Sequence, residues 1–323
     1  MIRYFASLLA LTNAGRAATA PNDAELSAPA VAESDTPDTE IFVGKLSFAG
    51  GTSMVADLTN ATAHKGYDNQ PWFIPGEDAY YYVAVGESGK TDIRLYDIAR
   101  RASQSVFTST DRSDYSPRRT PDGAFLSYIQ ESPDEEVTKV FKRSLDGSDE
   151  GAAAIDFASL GYYAWLDGGA ALGVYYRTDP GNLYRVEVST GEETLLHKAI
   201  GRTLVADPAG AHLWFSAITA QSTDEETPDT LRIMRYDDAT REIVAIVDLP
   251  QGANDFAIAF DDSGAAAGIF AASGSRLYWS KMSDGADWNK ITTEPAIVGA
   301  VNFSRVAISS DHRSIAIVGE MAE

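Results

Sequence analysis

The chain has 323 residues, 44% of them apolar, with 26 basic against 47 acidic side chains, a net charge of -21 and no cysteine. A surface this acidic repels phosphate backbones and anionic headgroups, which excludes nucleic acid as a partner. Without cysteine there is no disulfide framework or thiol nucleophile, an absence that fits reducing and oxidising compartments alike.

Residues 1–20 start with Arg3, continue through a short apolar run and end in small residues from Ala17 to Ala20, the pattern of a secretory signal. Pro21 opposes cleavage after Ala20, so Ala17 is the expected cut site. Residues 21–38 hold Ala, Pro, Asp, Glu, Ser and Thr with little to bury, and are expected to form a disordered linker. No later run approaches the ~18 apolar residues of a membrane span. The expected location is therefore periplasmic or secreted.

From Thr39 onward the sequence repeats. Thr120-Pro121-Asp122-Gly123 sets proline at the first central position of a tight turn and glycine at its close, between runs of β-formers. Degraded copies end at Glu77, Gly169, Gly210, Gly264 and Arg313, so successive turns lie 41 to 54 residues apart. After each turn comes a β-rich run such as Tyr80 to Val85 or His212 to Ser216, then an alternating strand such as Ile93 to Asp97 or Leu231 to Tyr236. A fourth strand closes most units, as in Glu193 to Leu196 and Glu242 to Val247. Four short strands per ~40–50 residues mark a propeller blade. The sixth hairpin runs out at the C-terminus, and its missing strands are expected at Thr39 to Leu46 and Gly51 to Leu58. The fold is predicted to be all-β: a six-bladed propeller over 39–323 of four-stranded antiparallel blades, the last closed by N-terminal strands.

Tyr115-Ser116-Pro117, the Thr120-Pro121-Asp122-Gly123 turn and strands ending like Leu95-Tyr96-Asp97 resemble the propeller repeats of TolB-like proteins and of prolyl-oligopeptidase-type peptidases. The resemblance spans roughly 39–323 and is strongest between Gln70 and Ala158. It implies a propeller alone, without the α/β domain of TolB or the hydrolase domain of the peptidases, and a cell-envelope protein as partner.

No nucleophile elbow, phosphate loop, dinucleotide fingerprint, zinc-protease motif or EF-hand loop occurs, so no catalytic residue is assigned. The four histidines, His64, His197, His212 and His312, fall in different units and are expected at the surface or in turns. Asp237-Asp238 and Asp261-Asp262 have the composition of turns in which aspartate accepts hydrogen bonds from its own backbone, and Glu135-Glu136 is placed in a loop.

One constellation converges. In a propeller the first strand of each blade lines the central channel, and the residues that open those strands ring one mouth. They are Gln70 and Trp72, Asp114 and Tyr115, Tyr162 and Tyr163, Arg202, Asn254 and Asp255, and Asn302. Such a ring suits a small polar ligand or a protein segment. The first functional expectation is a monomeric, non-enzymatic binding or scaffold propeller without a cofactor. The alternative is a lactonase- or esterase-like hydrolase in which Asp114, Asn254, Asp255 and Asn302 hold a divalent cation such as Ca2+. A third is an accessory subunit of a transporter or peptidase.

Overall fold

The computed structural model describes residues 37–49, 52–133, 137–222, 228–282, 287–294 and 299–321. The expected signal segment, the linker up to residue 36 and the Glu135-Glu136 pair lie outside the described residues.

Two strands open the fold, β1 (Thr39–Ala49) and β2 (Thr52–Asn60). The first unit is β3 (Asp68–Phe73), β4 (Ala79–Val85), β5 (Thr91–Asp97) and β6 (Ala102–Phe107). The second is β7 (Asp114–Arg119), β8 (Phe125–Glu131), β9 (Thr138–Ser144) and β10 (Ala152–Ala153). Next come β11 (Leu160–Leu166), β12 (Ala171–Tyr176), β13 (Gly181–Glu187) and β14 (Glu193–Ala206), followed by β15 (His212–Ala220), β16 (Thr230–Asp237) and β17 (Ile243–Asp248). The chain ends with β18 (Phe256–Phe260), β19 (Ala266–Ser273), β20 (Arg276–Lys281), β21 (Asn289–Glu294), β22 (Ala300–Ile308) and β23 (Ser314–Met321).

The turns behave as their composition requires. In the second unit Thr120 N–H donates to the Phe125 carbonyl and Gly123 N–H to that of Thr120, while Asp122 accepts the Ala124 N–H at 3.0 Å. Gly123 has φ 70, a left-handed conformation that glycine adopts without penalty. Asp261 likewise accepts from Ser263 and Ala265, and Asp237 from Ala239 and Thr240, so both acidic turns satisfy their own backbones.

Hydrogen bonding groups the strands into two four-stranded sheets, a seven-stranded sheet from β11 to β17, and an eight-stranded sheet ordered β18-β19-β20-β21-β2-β1-β23-β22. The seven-stranded sheet is two units sharing β14, which the sequence predicts as two strands. No turn cluster like Thr120-Pro121-Asp122-Gly123 separates Lys198 from Arg202, only the single Gly201; the chain bends at Ala199 (φ 54) and shifts register between Ile200 and Leu204. The eight-stranded sheet is two units joined where β2 runs parallel to β21. Among the described residues the ladders thus resolve into six four-stranded units. The sixth is assembled from both ends of the chain, with β1 paired to β23 from Thr39↔Glu320 to Lys45↔Ser314.

Apolar burial sits between units rather than in one centre, with a separate cluster at each junction. Tyr80, Tyr82 and Tyr96 of the first unit pack on Ile41, Val43 and Val318 of the sixth, which closes the ring. Polar clamps reinforce the seams. The hydroxyls of Thr39, Thr91 and Thr138, each at the start of a third strand, donate to the carbonyls of Asp68, Asp114 and Leu160, each at the start of the next unit's inner strand. Further on, Arg185 of β13 forks onto Asp238 beyond β16, at 2.6 and 3.1 Å.

Candidate functional site

The inner strands β3, β7, β11, β14, β18 and β22 enclose a cavity of about 640 Å3. Four of them are bulged near their start, and β14 in its second half, where its inner portion begins. The register shifts between Asn69 and Trp72, Tyr115 and Arg118, Leu160 and Tyr162, Ile200 and Leu204, and Val301 and Arg305. Gln70, Ser116 and Asn302 take positive φ at these bulges, at 56, 52 and 48°. Pro71 and Pro117 follow two of them, because an unpaired bulge position tolerates a residue without an N–H donor.

The bulges re-aim side chains into a polar layer across the channel. Arg305 of the sixth unit donates to the Tyr162 hydroxyl of the third at 2.9 Å and to the Asp255 carboxylate of the fifth at 3.1 Å. Asp255 also accepts from the Thr203 hydroxyl at 2.8 Å and the Phe256 N–H at 2.7 Å. Arg202 reaches the Ser304 carbonyl at 2.7 Å, and Gln70 accepts from the backbone N–H and hydroxyl of Ser116. Arg118 lies with its guanidinium carbon 4.9 Å from the centre of the Tyr163 ring.

Electrostatics follow from this geometry. Burial opposes the Arg305 charge, but Tyr162 and Asp255 outweigh it and hold its pKa above the usual value. Burial would likewise raise Tyr162, yet Arg305 and Arg202 prevail and bring its phenol below the ordinary tyrosine value. Arg118 is pushed down, chiefly by burial and further by Arg305. The Nε atoms of Arg118 and Arg202 are buried with no hydrogen-bond partner among the described residues.

Of the residues the sequence singles out, Gln70, Trp72, Tyr162, Arg202 and Asp255 line this cavity. The other five lie elsewhere. Asp114 is buried at a seam, holding Gln130 at 3.1 Å, and burial with the nearby Asp92 charge raises its carboxyl to about 7. Tyr163 is buried and donates to Ser127, Tyr115 packs in the cluster between the second and third units, Asn254 is exposed, and Asn302 donates to Glu320. Of Asp114, Asn254, Asp255 and Asn302, only Asp255 lines the cavity. Among the described residues no three His, Cys, Asp or Glu side chains converge as cation ligands. Arg118, Arg305 and Ser116 are not among the residues the sequence singles out, because each bulge inserts a residue and shifts the inward-facing position along the strand.

The histidines stay apart. His64 pairs with Asp68 at 2.8 Å, His212 sits between Asp207 and Asp237, His197 contacts the Lys198 carbonyl, and His312 lies in its turn at the far end of the cavity. Asp68, buried beside Glu40, is raised to about 7 by desolvation, with His64 opposing.

No protein-family profile matches the chain, and no curated protein sequence does. Solved structures do. One described as a putative TolB from Agrobacterium tumefaciens is similar over 89% of this chain and 100% of its own, at 14% identity and a TM-score of 0.60. TolB from Acinetobacter baumannii is similar over 88% of this chain, at 13% identity and a TM-score of 0.55. The fold is a TolB-like β-propeller. This propeller spans 65% of the Acinetobacter protein's length. An oligogalacturonate lyase in complex with manganese shares the fold over 84% of this chain and 83% of its own, at 13% identity and a TM-score of 0.51. Among the described residues of this TolB-like propeller no helix is long and apolar enough to cross a membrane.

Proposed function

We propose that this TolB-like propeller is an exported binding protein that takes a small polar ligand or a protein segment into its channel. One observation carries the reading: Gln70, Trp72, Tyr162 and Arg202 on inner strands, and Asp255 immediately before another, five residues from four units, face one cavity of about 640 Å3. That volume falls in the ~300–1,000 Å3 range of small-molecule sites. The inner strands are fixed on both sides by neighbouring units, so the site is pre-formed on rigid elements. Export rests on the signal-like segment 1–20, and a cell-envelope partner on the likeness to TolB structures.

The test is a thermal-shift screen of small polar compounds against the protein and Ala307→Trp, which fills the channel from β22. At least one class of compound is expected to raise the melting temperature of the parent and leave the filled variant unmoved. Equal responses from the two proteins would place binding outside the channel and reject the reading.

A further inference from the structure

The structure assigns a chemical class to the ligand. On the reading that the channel is the binding site, we infer that it takes a small acid whose carboxylate or phosphate group docks on the guanidinium groups of Arg118 and Arg202, beside the Arg305–Tyr162 bridge.

Four arginines line the cavity, and two of them are neutralised: Arg119 pairs with Glu77 at 3.1 Å, and Arg305 is held by Asp255. Arg202 bonds a neutral carbonyl, Arg118 stacks on a neutral phenol ring, and each keeps a buried Nε without a partner. A guanidinium withdrawn from water without a counterion is costly, and the cost is relieved when an oxyanion supplies two parallel charge-assisted bonds. Burial and the nearby Arg305 charge already disfavour the lone Arg118 cation, so an arriving anion meets an unsatisfied group. The rest of the chain sharpens the contrast, because these cations sit in a narrow low-dielectric cleft of a protein of net charge -21. At the far end the channel is lined instead by Asp207, Asp261 and Asp262. This polarity orients the ligand with its acidic head at the arginines and its body along Trp72 and Ile258.

The experiment titrates the full chain, at constant ionic strength, with inorganic phosphate, succinate and the uncharged disaccharide trehalose, by calorimetry and thermal shift. Phosphate or succinate is expected to bind saturably where chloride does not, and comparison of the two identifies the preferred head group. Arg118→Gln/Arg202→Gln should weaken that binding at least tenfold, with partial recovery in the double lysine variant, which keeps the charge and loses the fork. Arg100→Gln, at an exposed site, should leave it unchanged. If the double variant does not fold, each single glutamine variant should weaken binding at least threefold. Oxyanion binding that survives the glutamine changes overturns the inference. Trehalose binding that is lost in Ala307→Trp, with no oxyanion bound, would keep the channel reading and reject the anionic ligand. Failure of all three probes would reject both.

Discussion

Arg305 and Tyr162 stand 143 residues apart in sequence and on opposite units of the ring, yet the guanidinium donates to the phenol at 2.9 Å straight across the channel. The bond exists because the ring is closed by its own termini: β22, which carries Arg305, is held by β23, and β23 by β1. Ring closure therefore builds the polar layer as well as the stability of the fold.

The layer is a coupled network. Asp255→Ala leaves Arg305 buried without its carboxylate and should cost about 3 kcal/mol, in the range for breaking a buried pair. Removing the charge as well, in Asp255→Ala/Arg305→Met, should recover part of that loss. Urea melts of the parent, Asp255→Ala, Arg305→Met and the double variant measure the coupling, and additive losses would show that the pair is not a unit.

Tyr162 should titrate early. Its phenol is lowered by two guanidiniums, whereas burial raises Tyr80, Tyr82, Tyr128 and Tyr163. Absorbance at alkaline pH should show a first ionisation step that disappears in Tyr162→Phe. Persistence of that step in the variant would assign it to another tyrosine.

Asp114 should make stability fall as pH rises. Its folded carboxyl is raised to about 7 from an ordinary 3.8, so the folded state holds a proton that the unfolded chain has lost. Stability from this group is complete below the unfolded value and declines through the folded one, by at most about 4 kcal/mol for a shift of this size. Asp114→Asn keeps an acceptor for Gln130 without the charge. It should raise the melting temperature by a few degrees at pH 8 and leave it nearly unchanged at pH 4. The same gain at both pH values would contradict the assignment.

Gly210 is required by both conformation and contact. It has φ 69, and a Cβ there would stand 2.9 Å from the Asp167 nitrogen and 3.0 Å from Leu166 backbone atoms of the neighbouring unit. Its carbonyl also accepts the Asp167 N–H at 2.9 Å. Gly210→Ala should cost ~1–3 kcal/mol, read by calorimetric melting, while Gly191→Ala, with φ 71 and open space, should cost ~1 kcal/mol or less.

The repeat was legible because its turns are chemically specific: Thr120-Pro121-Asp122-Gly123 and its copies set the strand count, and unfinished units at both termini announced ring closure. The channel was legible only in part. Gln70, Tyr162, Arg202 and Asp255 stand close enough to the strand starts to be found. Arg118 and Arg305 lie past bulges, where strict alternation no longer tells which side faces inward. The repeat also carries a signal for the seams. Asp68 and Asp114 occupy the same place in successive repeats, as do Thr39, Thr91 and Thr138, and both sets proved to be junction residues rather than channel residues. Between Glu193 and Ala206 a lone Gly201, without the proline and aspartate of the other turns, does not mark the boundary between units, and a single strand spans both.

Anomalous diffraction from crystals of the protein soaked in selenate locates the ligand site within or outside the arginine-lined channel. A selenium peak is expected inside the channel, within hydrogen-bond distance of the Arg118 and Arg202 guanidiniums and absent from crystals of Arg118→Gln/Arg202→Gln. Selenate found only on the outer surface, with both guanidiniums unchanged and no anion between the inner strands, would contradict the channel as the ligand site.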